Sequence, residues 1–158
     1  MSEKTLAYGS NMCSGRFLGY GISPQGREHA ALFPAHRLVF NKSSKDGSGK
    51  ANIDSREDSH VWGVLYTISH ANLGSLDRGE GAGYYRTKLP VRITDGGITE
   101  AWVYIASRPI NAPTLRPYTW YKRFLVERAR MPINPESDML HTLPRENLMD
   151  YYNHEGTT

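Results

Sequence analysis

One cysteine, Cys13, stands in a chain of 158 residues, and a single thiol leaves no internal disulfide framework to build a fold on. Long apolar runs are missing too. No stretch reaches the about eighteen residues that cross a bilayer, so no membrane is expected as a partner. There is no basic stripe: the formal net charge is +3, and "RFLVERAR" and "DSREDSH" interleave both signs, which argues against nucleic acid. The opening "MSEKTLAYGSN" carries neither an apolar signal core nor an arginine-rich amphipathic lead, which makes the cytoplasm the expected compartment. The six histidines, at 29, 36, 60, 70, 141 and 154, fall at no metal-ligand spacing with cysteine or acids, so no metal is expected. Repeats and low-complexity tracts are absent as well.

What is present reads as one domain over 1–158, with hydrophobic residues at 39% and charged residues at 22%, ordinary for a globular unit. Lys4 to Tyr8 is a short apolar run closed by Gly9, a strand entering a tight turn, after which Asn11 is placed to cap a short helix carrying Phe17 and Leu18. Such a strand–turn–helix junction points backbone N–H groups outward, a cradle for a carboxylate or a developing oxyanion. Ala30 to Asn41 reads as a strand and the polar "KSSKDGSGKAN" as a loop. His60 to Ile68 is the strongest strand, apolar enough for burial on both faces, with Gly63 marking a bulge or close packing. Ser69 is a candidate N-cap for a helix bearing Leu73 and Leu76 and ended by Gly81. Strands about Tyr84–Ile93 and Thr99–Ala106, joined by "TDGG", form a hairpin. From Pro117 the pattern turns helical through Tyr121, Phe124, Leu125 and Arg128, a second helix starts near Asn134-Pro135, and Pro144 interrupts it. The class is α+β, with a mixed or antiparallel sheet that a barrel would close.

Glu80 is the sharpest candidate for chemistry. It lies between Gly79 and Gly81 at a helix C-terminus, where negative charge is disfavoured. As a surface acid it needs no role; as a general base, it would have its proton affinity raised by the helix end and by apolar neighbours. Asp77, one turn earlier, competes for that role but reads better as a structural partner. Cys13, in a first helical turn, is either a nucleophile or a small apolar residue. "DGSGK" fails as a phosphate loop, since Ser44 stands where glycine is required and Ala51 where Ser or Thr is. "GSNMC" lacks the second glycine of a serine-hydrolase elbow, which leaves Ser10 a turn residue. Tyr8, Tyr85 and Tyr121 are core aromatics unless their neighbours make them pocket walls.

Taken together, "YGSNM" at 8–12, "VWGVLYTI" at 61–68, "LDRGEGAGYY" at 76–85 and "PYTWYKRF" at 117–124 resemble the γ-glutamylcyclotransferase family in order and spacing over roughly residues 4 to 130. The resemblance implies a small mixed β-barrel flanked by helices, with about 131–158 a divergent helical extension. It also implies an enzyme that needs no cofactor. In that family's reaction the α-amine of a γ-glutamyl group attacks its own γ-carbonyl, releasing 5-oxoproline and an amine or amino acid. Carried over by motif, Glu80 is the acid/base, and Tyr8, Gly9, Ser10, Asn11, Met12, Tyr85 and Tyr121 bind substrate. The implied partner is a small γ-glutamyl compound, the protein itself being a monomer or homodimer. The chain departs at "LVERAR", where relatives often carry Met-Gly-Ala, and beyond Met131-Pro132, so the leaving group stays open. Two other readings stand beside this one: a non-catalytic module for a small metabolite or protein, and an amidohydrolase dependent on Cys13.

Overall fold

The computed structural model describes residues 1–12, 14–93, 96–110 and 115–119. Among the described residues, five strands and two short helices follow one another: β1 (Ser2–Ala7), α1 (Ser14–Gly19), β2 (Gln25–Ser43), β3 (Gly49–Ser69), α2 (Leu73–Glu80), β4 (Tyr84–Ile93) and β5 (Ile98–Ala106). The strands close into a barrel in the order β1-β3-β2-β4-β5. Four seams are antiparallel, and the fifth, β1 beside β5, is parallel with Thr5 opposite Trp102. The mixed α+β barrel expected from the sequence is therefore the architecture found.

β1, α2, β4 and β5 lie where the sequence places them. The long hairpin does not. β2 runs for 19 residues and β3 for 21, so the expected loop shrinks to a turn at 44–48. That turn is held by Ser44 N–H on the Ser48 carbonyl at 2.9 Å and by Asp46, whose carboxylate accepts the Ser48 N–H at 3.0 Å and its hydroxyl at 2.5 Å. The polar run from Ser55 to Asp58 is strand as well, and it is exposed, so no alternation of apolar residues marks it. Ser69 makes no side-chain cap bond. It precedes a single 3-10 turn, His70–Asn72, whose first N–H is satisfied by the Met1 carbonyl at 3.1 Å.

The core gathers Leu6, Phe17, Ile22, Phe33, Leu38, Val61, Val64, Leu65, Tyr66, Leu76, Val91 and Val103. Consecutive burial of Val64, Leu65 and Tyr66 bears out the two-faced strand, because α1 covers one side of β3 with Phe17 against the Tyr66 ring at 4.5 Å. Gly63 packs its backbone directly against the Ala7 carbonyl, where a Cβ would stand 2.4 Å away. Leu73 and Leu76 are the buried face of α2. Among the described residues no helix is long and apolar enough to cross a membrane. The helices expected beyond Pro117, with Tyr121, Phe124, Leu125, Arg128 and the segment about 131–158, lie outside the described residues.

Candidate functional site

Two chain segments separated by some seventy residues meet at one end of the barrel. The first leaves β1 at Ala7 and turns through Tyr8 and Gly9 into a 3-10 turn, Ser10–Met12, fixed by the Met12 N–H on the Gly9 carbonyl at 3.0 Å. Tyr66 pins this turn to β3 by donating its hydroxyl to the Met12 carbonyl at 2.7 Å, and Tyr8 reaches across to donate to the Tyr104 carbonyl at 2.5 Å. The second segment is the end of α2, where Gly81, at φ 87°, takes the left-handed backbone that ends the helix without strain.

Between them lies a small cleft that opens to solvent at its mouth. Its walls include Tyr8, Gly9, Asn11, Phe17, Leu76, Tyr84, Tyr104 and Glu80. The Asn11 amide donates to a Glu80 carboxylate oxygen, and the Tyr20 hydroxyl donates to the Asn11 amide oxygen at 3.2 Å. Burial lifts the Glu80 carboxyl from 4.5 to about 7, while the Arg16 guanidinium and the Asn11 hydrogen bond pull the other way. Near neutral pH this group is divided between acid and base, and it is able to accept a proton and return it.

Asp77 has different company. It accepts the Tyr104 hydroxyl at 2.6 Å and pairs with Arg86 Nε at 3.2 Å, tying α2 to β5 and β4. Burial and the Asp77 carboxylate hold the Tyr104 phenol well above its ordinary range, so that hydroxyl stays a donor. The structural role expected of Asp77 is the one found.

Glu80, Tyr8, Gly9 and Asn11 are thus brought together. Asn11 stands in the 3-10 turn ahead of α1, and its amide bonds to Glu80 and Tyr20. Met12 does not reach the cleft; it is fully buried and its N–H is already used. Tyr85 is 50% exposed and does not line the cleft, whereas Tyr84 does, its hydroxyl donating to the Ala51 carbonyl at 2.7 Å. Successive strand residues point to opposite faces, and Tyr84 shares its face with Arg86, the face that meets α2 through Asp77. Ser10 lies in the 3-10 turn. Cys13 and Tyr121 lie outside the described residues. Tyr20, Tyr84 and Tyr104 are site residues the sequence did not give up, since register alone separates Tyr84 from Tyr85.

The comparisons with known proteins agree with this fold. Residues 60–141 match the model of the AIG2-like family. A structure of a gamma-glutamyl cyclotransferase superposes with a TM-score of 0.78 at 24% identity, covering 98% of this chain and 89% of that one. An uncharacterized human protein, loc79017, gives 0.70 at 24% identity, over 96% and 99%. A yeast gamma-glutamyl cyclotransferase specific to glutathione gives 0.65 at 15% identity, over 97% and 96%. At these identities the likeness establishes a shared fold. Among curated proteins, none matches the sequence.

Proposed function

Because the chain belongs to the AIG2-like family, we propose that it is a γ-glutamyl cyclotransferase-type enzyme with Glu80 as its acid/base. One observation carries the reading: the carboxyl of Glu80 lines the cleft, hydrogen-bonded by Asn11 of the "YGSN" turn, with its proton affinity raised into the neutral range.

The α-ammonium of a bound γ-glutamyl group loses a proton to Glu80, and its freed lone pair attacks the γ-carbonyl carbon of the same molecule. The new N–C bond closes the five-membered ring. As the tetrahedral centre collapses, the old C–N bond breaks, Glu80 returns its proton to the departing nitrogen, and the ring nitrogen gives up its second proton to water, releasing 5-oxoproline and an amine or amino acid. Nucleophile and electrophile share one molecule, so orientation supplies much of the acceleration; effective molarities of about 10⁵ M and more are reached by well-aligned intramolecular pairs. No covalent nucleophile is required. Backbone N–H groups of Gly9 to Asn11 are the proposed donors to the carbonyl oxygen or the α-carboxylate, and each such donor is worth about 3 kcal/mol in the transition state.

Incubation of the protein with a panel of γ-glutamyl amino acids and amines, with products identified by mass spectrometry, is expected to yield 5-oxoproline. Free glutamate abolished by Cys13→Ala would replace this reading with the thiol amidohydrolase. Thermal stabilisation by a compound that is never converted would leave a binding module. On the same assay Tyr84→Ala is expected to raise KM about tenfold by removing an aromatic wall of the cleft, while Tyr85→Ala stays within about twofold of the parent.

A further inference from the structure

Tyr20 does not line the cleft, yet it touches both the segment that carries Glu80 and the residue that bonds it. Its position is fixed at the end of α1, where its N–H bonds to the Arg16 and Phe17 carbonyls at 3.2 and 3.0 Å. From there the ring lies across Gly79, the residue before Glu80; a Cβ on Gly79 would stand 2.7 Å from two ring carbons. The hydroxyl ends on the Asn11 amide oxygen, and the other end of that amide is on Glu80.

We propose that Tyr20 is a positioning residue for Glu80, its hydroxyl setting the Asn11 amide so that the NH₂ end, and not the oxygen, meets the carboxylate. The inference rests on Glu80 being the acid/base. An amide has a donor end and an acceptor end, and a phenol, whose lone pair is drawn into its ring, is a better donor than acceptor. A phenol on the oxygen end therefore selects one of the two amide orientations. It also polarises the amide and strengthens the N–H that Glu80 receives. Gly79 belongs to the same device, because any side chain there would push the ring away. Among the described residues, the other charged and titratable groups around Glu80 are Arg16 from α1, Asp77 on α2 itself, Tyr8 after β1, Tyr84 of β4, Tyr104 from β5, and Arg86 of β4 behind Asp77.

Tyr20→Phe keeps the ring on Gly79 and removes only the hydroxyl. In the full chain, the Glu80 carboxyl followed by ¹³C NMR is expected to titrate about half a unit to one unit higher in this variant. If 5-oxoproline is formed, the acid limb of kcat moves with it, so that kcat at pH 7 falls about two- to fivefold and recovers above pH 9, with KM little changed. Asn11→Ala should raise the midpoint too, and Tyr20→Phe added to Asn11→Ala should change nothing more, since Tyr20 acts through the amide. A Tyr20→Phe midpoint equal to the parent's, or a Tyr20→Phe effect that persists without Asn11, overturns the proposal. The carboxyl titration needs no turnover. A protein that makes no 5-oxoproline would therefore refute the cyclotransferase reading, while the spectrum would still decide the role of Tyr20.

Discussion

Glu80→Gln is expected to lower 5-oxoproline release by about 10³-fold or more while leaving the fold and ligand binding in place. A positioned acid or base contributes about 10² to 10⁴ to a rate, and here one carboxyl serves in both proton transfers, so the upper part of that range applies. The substitution is gentle in every other respect. Glutamine matches the shape, and its amide oxygen still accepts from Asn11, so the "YGSN" turn keeps its tether to α2. Ligand-induced thermal stabilisation in the variant, measured beside its turnover, separates lost chemistry from lost binding. Turnover at the parent rate would remove Glu80 from the reaction and return the choice to the other groups of the cleft.

The same variant is expected to be more stable than the parent at pH 8, by about 2 kcal/mol, and the margin should vanish toward pH 4.5. The sign follows from the direction of the shift. Glu80 holds its proton more tightly in the fold, at about 7, than in the unfolded chain, at 4.5, so the native state binds more protons between those values. Parent stability therefore falls as pH rises from 4.5 to 7 and stays reduced above 7. A shift of that size corresponds to roughly 3 kcal/mol, trimmed in the variant because the glutamine NH₂ also seeks a partner. For a chain of this length the gain reads as a melting temperature about 4 to 8 °C higher at pH 8. An offset independent of pH would mean that the carboxyl is bathed in water. Together the two outcomes describe a group kept for its chemistry at the expense of stability.

Much of this site was legible in the residues because local rules and tertiary needs agree there. Gly9 and Gly81 punctuate, Leu73 and Leu76 mark the buried face of α2, and Glu80 stands out because a carboxylate at a helix end calls for an explanation. The hairpin β4–β5 was legible because apolar and β-branched residues flank an obvious turn. Other features depend on partners distant in the chain. Ser55 pairs with His36 of β2 while Arg56 to Asp58 fall in the irregularity before His60 meets Pro34, and Ser69 makes no side-chain cap bond, the first N–H of the turn after it meeting the Met1 carbonyl. Tyr84 rather than Tyr85 walls the cleft because of a register set by β5. Tyr20 is a partner of Asn11 with its ring laid on Gly79 of α2, a contact no spacing rule announces.

The parallel seam between β1 and β5 sets the order in which the molecule becomes competent. Tyr8 leaves the ribosome early, yet the carbonyl that receives its hydroxyl belongs to Tyr104, made 96 residues later, and Thr5 waits as long for Trp102. A nascent chain lacking β5 has the turn, the glutamate and most of the staves but no hoop to draw them together. Closure over such a sequence separation is slow compared with local folding. Synthesis of β5 and the birth of the cleft are one event, and a chain cut short before it holds Tyr8, Asn11, Glu80 and Tyr84 without the Tyr104 wall they need.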